Sequence, residues 1–286
     1  MVSPQRVVSL VPSMTESLFE FGVGERLVGI TEYCISPAEK VKAIQKVGGT
    51  KNVNRDLVIA LAPDLIIANQ EENTRDDVEF FQASGIEVWL SFPKTMRQAI
   101  DGMWELIRRF DVPLQGQRIV MLEKTYEWTS MAAESNESSP RVFCPVWREA
   151  EWWMTINGDT YVSDVIKVCG GANVFAERER RYPLAADLDM ARPPREEPER
   201  DTRYPRVTRD EILAAQPEVI LLPTEPFEFS DNDMDYWMQF SDLPAVKNNR
   251  VHIVDGSLLT WHGVRLAMAL REIPSLLNAP SDLEGF

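Results

Sequence analysis

The chain repeats one order of segments twice, and this internal repeat limits the possible folds more than any other feature. RVVSLV, which begins at Arg6, resembles RVFCPV, which begins at Arg141. LVIALAPDLIIA, from Leu57, resembles EILAAQPEVILL, from Glu211, and both pass from an Ala-rich segment through a proline into an apolar run. A repeat of this length indicates two copies of one structural unit.

Each repeated segment predicts one kind of element. The β-branched runs predict short buried strands, and the Ala-rich segments predict helices that stop at a proline before the next strand. SLFEFGVGERLV from Ser17 and DVIKVCGGANVF from Asp164 predict amphipathic helices that close on a glycine. Strands that alternate with helices predict an α/β fold of two Rossmann-like lobes, each with a parallel sheet.

The segment between the two halves predicts a long helix. Residues 114–137 contain no proline, and Ile119, Leu122 and Tyr126 recur at helical spacing. A helix of about 23 residues would be about 34 Å long. We therefore predict that one long backbone helix joins the lobes. The predicted division is an N-terminal lobe at 1–112, the linking helix at 113–138 and a C-terminal lobe at 139–286.

One charged segment interrupts the second half. Residues 176–209 hold nine arginines and five prolines and have no apolar period. This composition is typical of surface loops, so we predict a charged surface insertion at about 177–203. A lid or docking arm over the binding site is the alternative.

Composition excludes several classes of protein. The net charge of −15 argues against nucleic-acid binding, which needs a basic surface. No run of about 18 apolar residues is present, so no membrane-spanning segment is predicted. MVSPQRVVSLVPS lacks the regions of a secretory signal, so the chain as given is expected in the cytoplasm, or outside it if a leader has been removed. We expect a monomer.

The cysteines and the missing catalytic motifs argue against an enzyme. Cys34, Cys144 and Cys169 are too few and too scattered for a disulfide framework or a CxxC metal site, so we predict buried reduced thiols. GxSxG, HExxH and GxxxxGK[ST] are all absent. We therefore predict a protein that binds its ligand without chemistry.

The order of the segments resembles a known family. RVVSLVPSMTESLFEFGVGERLVGITEYC, KVGGT and LVIALAPDLIIA, followed by VCGGANVF and YPRVTRDEILAAQPEVILL, are similar to the periplasmic binding proteins whose lobes are joined by a helical backbone. TEYC at Thr31 and VCGG at Val168 are most similar to the cobalamin-binding branch. The resemblance implies a substrate-binding protein of an ABC importer, with a small-molecule ligand, no built-in cofactor and an importer permease as partner. The implied ligand is a cobalamin-like or siderophore-like metal chelate in the cleft between the lobes.

Two departures from this family carry expectations of their own. The resemblance would pair Cys169 with a cysteine in the last helix, but GVRLAMALREIPSLL contains none, so Cys169 is expected to be a free thiol. The cobalamin receptor of the family has an aromatic residue where this chain has Asn69, which implies a ligand more polar than cobalamin.

The resemblance also implies acidic residues that dock on arginines of the importer. In the second lobe the matching position is Asp210. In the first lobe it falls on Arg75, with Asp76 and Asp77 beside it. The predicted docking residues are therefore Asp76, Asp77 and Asp210.

Ligands of α/β sheets bind at the carboxyl ends of the strands, and this rule selects the candidate site. Tyr33 is an aromatic contact that the resemblance implies, and Glu71 with Glu72 could bind a cation, with a solvated helix cap as the alternative. Tryptophans stack on flat ligands and Arg148 pairs with anions, with ordinary packing as the alternative. The predicted ligand contacts are Tyr33, Cys34, Asn69, Glu71, Glu72, Trp147, Arg148, Trp152, Trp153, Glu225, Trp261 and His262.

One helix start and two other functions complete the predictions. Ser13 is predicted to cap a helix, with Glu16 as its capping-box partner. A cytoplasmic metal-handling protein or enzyme stays open, with Cys34, Cys144, Glu71, Glu72 and His262 gathered at one site. A regulator that binds a partner through the charged insertion also stays open.

Overall fold

The computed structural model describes residues 3–136, 138–190, 193–195 and 200–278. The chain divides into two compact units. Of the described residues, those at 3–123 and 261–266 belong to the first unit, and those at 124–260 and 267–278 belong to the second. Within the described ranges, no helix combines the length and the apolar character needed to cross a membrane.

A parallel sheet of five strands forms the centre of the first unit. Its strand order is β3-β2-β1-β4-β5, so β5 is an edge strand. The strands are β1 (Val7–Ser9), β2 (Leu27–Ile30), β3 (Gln45–Lys46), β4 (Leu65–Asn69) and β5 (Glu87–Ser91). The helices are α1 (Pro12–Glu20), α2 (Ala38–Val41), α3 (Arg55–Ala60), α4 (Arg75–Ala83) and α5 (Met96–Arg109). All five residues of β4 are buried, which is typical of a central strand with helices on both faces.

The predicted linking helix is confirmed. It is α6 (Gly116–Ser135), which has 20 residues and follows a short 3-10 turn at Pro113–Gln115. Its length is about 30 Å at 1.5 Å per residue. The division between the two units falls inside this helix, at residue 123.

The second unit contains two sheets. A parallel sheet has the order β12-β11-β6-β9, and an antiparallel sheet has the order β10-β8-β7. The strands are β6 (Arg141–Phe143), β7 (Pro145–Arg148), β8 (Trp152–Thr155), β9 (Ala172–Asn173), β10 (Arg206–Thr208), β11 (Val219–Pro223) and β12 (Val251–Val254). The helices are α7 (Tyr161–Val168), α8 (Leu184–Asp187), α9 (Arg209–Ala215), α10 (Asp231–Met238), α11 (Pro244–Lys247), α12 (Ser257–Thr260) and α13 (Leu266–Leu277). The parallel sheet was predicted, but the antiparallel sheet was not.

A polar clamp fixes the start of β1 against the start of β4. The carboxylate of Asp64 accepts the backbone N–H groups of Gln5 at 2.7 Å and of Arg6 at 3.1 Å. The guanidinium of Arg6 donates to the carbonyl oxygen of Leu61 at 2.5 Å. The two strands then pair in parallel from Val7 onwards.

The second unit repeats this clamp at the equivalent strands. The carboxylate of Glu218 accepts the backbone N–H of Arg141 at 2.9 Å, and the side chain of Arg141 donates to the carbonyl oxygen of Gln216 at 3.0 Å. β6 and β11 pair in parallel beyond it. The internal repeat therefore extends to side-chain contacts.

The charged insertion is anchored around a buried carboxylate. Asp187 is completely buried, and its two carboxylate oxygens accept the backbone N–H groups of Arg181 and Arg206, each at 2.9 Å. The guanidinium of Arg178 lies 3.1 Å from the same carboxylate. Tyr182 and Leu188 are buried beside it. A composition without an apolar period did not predict this anchor.

We expect Asp187→Asn to lower the free energy of unfolding by about 2 kcal/mol, because it removes the buried charge that pairs with the half-buried Arg178 and leaves one backbone donor without an acceptor. Asp189→Asn is the matched control, because that side chain is 88% exposed and lies 3.7 Å from Arg181. The control should change stability by less than about 0.5 kcal/mol. Urea unfolding measures both, and equal effects would contradict the anchoring role.

Candidate functional site

Asn69 organises the strand ends of the first unit. It is 1% exposed at the end of β4, and its side-chain oxygen accepts the backbone N–H of Glu71 at 2.8 Å. Its amide nitrogen lies 3.1 Å from the hydroxyl of Ser91 and 3.2 Å from Nε2 of His262. The side chain of Asn69 is buried and hydrogen-bonded within the protein, so it offers no surface for the predicted contact with a ligand. The expectation of a more polar ligand, which rested on Asn69, loses its basis.

The loop after β4 places the predicted glutamates near the imidazole of His262. Glu71 and Glu72 are half-buried, and the carboxylate of Glu72 lies 3.9 Å from Nε2 of His262. The following helix, α4, begins one residue after its N-cap, Thr74. The two glutamates therefore belong to a loop that Asn69 ties down, and the alternative of a helix cap does not apply to them.

His262 is a neutral, buried imidazole. It is 4% exposed, and desolvation lowers its pKa to about 4. The amide N–H of Asn69 points a donor at Nε2, so this nitrogen acts as an acceptor. Because a neutral imidazole has one acceptor nitrogen and one N–H, Nδ1 then carries the ring proton.

The chain returns to the first unit at 261–266, although the sequence placed these residues in the C-terminal lobe. Gly263 passes so close to α1 that an added Cβ would lie 2.4 Å from the hydroxyl of Ser17. The same hydroxyl accepts the backbone N–H of Val264 at 3.2 Å. A glycine at this point is what allows the approach.

Glu16 orients an arginine against Trp261. Its carboxylate accepts from Arg265 at 2.7 Å and 3.2 Å, and from the hydroxyl of Ser36 at 2.7 Å. The guanidinium of Arg265 lies 4.3 Å from the ring centre of Trp261, which is 9% exposed. The predicted capping box is wrong, because α1 begins at Pro12 with Val11 as its N-cap, and Ser13 lies inside the helix.

The two residues of TEYC that were predicted to contact the ligand differ in exposure. Tyr33 is 61% exposed, whereas Cys34 is completely buried. The hydroxyl of Thr15 lies 3.1 Å from the thiol of Cys34, and the hydroxyl of Thr31 lies 3.2 Å from it. Cys34 thus packs the base of the loop, and it offers a ligand no surface.

The unpredicted antiparallel sheet of the second unit gives one face four large side chains. Met154 lies on the central strand, β8, where it is paired with Trp147 of β7 on one side and with Arg206 of β10 on the other. Trp152 lies two residues before Met154 on β8. Directly paired residues share a face, as do residues two apart on a strand. Trp147 is 41% exposed, and the guanidinium of Arg206 lies 5.6 Å from the ring centre of Trp152. We call this surface, made of Trp147, Trp152, Met154 and Arg206, the aromatic face.

The opposite side of the same sheet belongs to the core. Trp153 is 2% exposed and packs on Trp237, with ring centres 5.3 Å apart. Arg148 is ion-paired with Asp233 at 2.5 Å. The predicted ligand contacts of Trp153 and Arg148 are therefore replaced by packing and by an internal ion pair, because alternate residues of a strand point to opposite faces.

Glu225 lies in a tight loop after β11. Its carboxylate accepts the hydroxyl of Thr260 at 2.6 Å, and Gly256 lies so close that an added Cβ would be 2.6 Å from the backbone nitrogen of Glu225. Glu225 is half-buried. The carboxylate of Glu225 therefore holds the loop through Thr260, and part of the Glu225 side chain stays exposed.

The predicted docking residues also differ in exposure. Asp77 is 4% exposed and accepts from Arg55 at 2.6 Å and from the hydroxyl of Thr74 at 2.6 Å. Asp76, in the same first turn of α4, is exposed. Asp210, in the first turn of α9, has an 81% exposed side chain. Asp76 and Asp210 therefore present carboxylates at the surface, and Asp77 does not.

Comparison with known proteins identifies the family. A model of the periplasmic binding protein family matches residues 7–258, which is most of the chain. The chain belongs to this family.

Relatives of this periplasmic binding protein extend over nearly all of it. It is 27% identical to a vitamin B12-binding protein of Vibrio parahaemolyticus over 271 residues, which cover 94% of this chain and 88% of that protein. The structure of the vitamin B12 binding protein BtuF of Vibrio cholerae is similar, with a TM-score of 0.77, 23% identity and 96% of each chain covered. A periplasmic heme-binding protein of Roseiflexus has a TM-score of 0.75 at 21% identity, with 96% of this chain and 98% of that one covered. These structures share the fold of two lobes joined by a long helix.

The cysteines of this periplasmic binding protein are buried free thiols, as predicted. Desolvation raises the pKa of Cys144 and of Cys169 to about 12, and it raises the pKa of Cys34. Across the described ranges, no group of three or more His, Cys, Asp and Glu side chains is arranged to hold a metal ion. The five residues proposed for a metal-handling site thus find no support.

Sequence reasoning missed Arg265 and Arg206, the two arginines that lie over predicted tryptophans. Arg206 stands at the start of RVT, a short β-branched run before a helix, and this run could have indicated a strand. Arg265 depends on Glu16, which lies 249 positions earlier, and no local pattern could have found it.

We expect the free energy of unfolding to fall by about 3 kcal/mol from pH 7 to pH 4 because of His262 alone. Its pKa is about 4 in the folded protein, against about 6.5 when unfolded, so only the unfolded state takes up a proton in this window. His262→Gln should remove this part of the pH dependence. Urea unfolding at several pH values measures it, and an unchanged slope in the variant would contradict the assignment. His252→Gln is the comparison, because burial and the charge of Arg250 also lower the pKa of that half-buried ring, so its removal should change the pH dependence in the same direction but less.

Proposed function

We propose that this periplasmic binding protein is the substrate-binding component of an ABC importer, and that its ligand is a flat metal chelate, cobalamin-like or siderophore-like. The observation that carries the proposal is the aromatic face. Trp147 and Trp152 offer two indoles on one side of the antiparallel sheet, beside the guanidinium of Arg206. Flat ring systems stack on indoles, and the guanidinium suits the carboxylate or amide groups at the edge of such a chelate.

The relatives support this choice of ligand class. The vitamin B12-binding protein of Vibrio parahaemolyticus matches 94% of this chain. The strand ends of the first unit add the exposed phenol of Tyr33 and the carboxylates of Glu71 and Glu72. Amide and hydroxyl donors on a chelate can pair with such acceptors. We propose ligand contacts at Tyr33, Glu71, Glu72 and Trp261 of the first unit, and at Trp147, Trp152 and Glu225 of the second unit.

No chemistry is required of these residues. A binding protein needs complementary surface and no nucleophile, and the thiols are buried and protonated. A metal-handling enzyme is not favoured by any observation on the described residues. The proposal also implies that the working protein lies outside the cytoplasm, where importers collect their substrates.

We expect the wild type to bind at least one of cobalamin, haem or a ferric siderophore with a Kd below about 1 µM. Trp147→Ala and Trp152→Ala should each weaken that binding about tenfold or more, because each removes a stacking surface. Trp128→Ala is the matched control, because Trp128 is a 65% exposed tryptophan on α6 and should leave the affinity unchanged. Titration calorimetry measures all four proteins. Binding no tighter than about 1 mM for every ligand would sink the proposal.

We also propose that Asp76 and Asp210 dock on the importer. Both lie in the first turn of a helix with their carboxylates at the surface, where arginines of a permease can pair with them. The double variant Asp76→Asn with Asp210→Asn should reduce ligand uptake by cells that express the native importer about tenfold or more, at unchanged ligand affinity. Uptake equal to that of the wild type would remove these residues from the interface.

A further inference from the structure

The charged insertion places two arginines next to each other at the border of the aromatic face. The two oxygens of the buried Asp187 carboxylate accept the backbone N–H groups of Arg181 and Arg206, each at 2.9 Å. Arg180 directly precedes Arg181, and its own backbone N–H donates to the carbonyl oxygen of Thr202 at 2.8 Å. One carboxylate therefore holds the chain so that the side chains of Arg180 and Arg206 start from neighbouring positions.

Both guanidiniums lie over aromatic rings. That of Arg180 is 4.3 Å from the ring centre of Tyr182, and that of Arg206 is 5.6 Å from the ring centre of Trp152. The guanidinium of Arg200 is 5.0 Å from the same tyrosine ring, and this ring is buried. A guanidinium that stacks on a ring has a fixed plane, and its N–H donors remain available at the edge of that plane.

The carboxylates of the insertion are already paired with other arginines. Even though the chain holds 45 acidic side chains against 30 lysines and arginines, Arg180 and Arg206 form an ion pair with none of the residues that the structure describes. The pairs within the insertion are Asp187 with Arg178 at 3.1 Å, Asp189 with Arg181 at 3.7 Å, and Asp201 with Arg203 at 2.6 Å.

The charges of Arg180 and Arg206 oppose each other. Burial, and after it the charge of Arg180, lowers the pKa of the Arg206 guanidinium. Both side chains are half-buried, so water screens their repulsion less than it would at an open surface. Nη1 of Arg206 donates to the carbonyl oxygen of Tyr204 at 3.1 Å, but its buried Nε has no acceptor among the described residues. Positive charge that is partly buried and has no internal counter-charge is stabilised by a bound anion.

We propose that Arg180 and Arg206 form a binding site for an acidic oxygen group, a carboxylate or a phosphate, at the edge of the aromatic face. Guanidiniums bind both groups through parallel hydrogen bonds. For its ligand this inference rests on the proposed function, because the ring system on Trp147 and Trp152 then carries the acidic group at its periphery. The ligand class narrows to acidic chelates, and chelates whose side chains are all neutral amides should bind more weakly.

The site can be tested without any chelate. Sodium pyrophosphate or sodium citrate, compared with NaCl at equal ionic strength, should raise the thermal unfolding midpoint of the wild type by about 3 °C at about ten times its Kd. The anion with the larger shift identifies the acidic group. Arg180→Gln should lose at least about half of the shift, because it removes one of the two guanidiniums. Arg271→Gln is the matched control and should keep the shift, because Arg271 is 73% exposed on α13 and lies 2.8 Å from Glu272.

A second readout separates an anion site from a packing role. In NaCl alone, the unfolding midpoint of Arg180→Gln should equal or exceed that of the wild type, because the substitution removes a repulsion between two like charges. A midpoint lower by more than about 3 °C would mean that Arg180 serves to cover the ring of Tyr182, and it would overturn the proposal.

The acidic character of the ligand is tested by titration calorimetry with matched chelates. Dicyanocobyrinic acid and haem carry carboxylates, and dicyanocobinamide and haem diamide are their amide counterparts. For siderophores, ferric citrate is the acidic chelate and ferrichrome the neutral one. The wild type should bind the acidic member about tenfold or more tightly, and less so at about 500 mM NaCl. Arg180→Gln and Arg206→Gln should each reduce this preference to about twofold or less, and Arg271→Gln should keep it.

The outcomes separate this inference from the proposed function. Equal anion shifts in the wild type and Arg180→Gln, or equal affinity for the acidic and the neutral member of a pair that binds, overturn the acidic site and leave the proposed function standing. An anion shift that Arg180→Gln removes, with no chelate bound by the wild type, supports the site and overturns the proposed function. Absence of both anion shift and chelate binding overturns both.

Discussion

The polar clamp at the start of β1 and of β6 is the contact on which both units depend. In each unit, the carboxylate of an acidic residue that follows a proline accepts backbone N–H at the start of one central strand. The arginine at the start of that strand donates to a carbonyl oxygen at the end of the helix that precedes the proline. The clamp sets the register of the two central strands. Since the site residues stand just beyond the other ends of these strands, their positions follow from that register.

The parallel sheets could be predicted because their signals are local. Short β-branched runs, a glycine after a helix and a proline before a strand each act within a few residues, and Gly22 and Gly170 have the positive φ values, 74° and 98°, that a helix end of this kind requires. The antiparallel sheet was missed because its third strand, at Arg206, lies in a segment whose composition indicates a loop. Pairing with Trp153 and neighbouring residues makes it a strand, and pairing is not a local signal.

Which of the candidate side chains are exposed could be predicted only in part. Exposure of Tyr33 and Trp147 agrees with a role at the surface, but Cys34 and Trp153 are buried beside them in the sequence. Trp152 and Trp153 are adjacent, so a strand points them to opposite faces, and the sequence could not say which of the two faces the core. The buried position of His262 could not be predicted from the sequence either, because its partner Asn69 lies 193 residues away. Long-range contacts of this kind decide which strand-end side chains are structural.

The three cysteines have a practical consequence. Each is buried and, because burial raises its pKa, each is protonated at neutral pH. Maleimides and similar reagents react with accessible thiolates, so the folded protein should not react with them. A single cysteine engineered at the surface could then carry a fluorophore or spin probe without prior removal of the native sulfhydryls, which makes the chain a convenient scaffold for a ligand sensor.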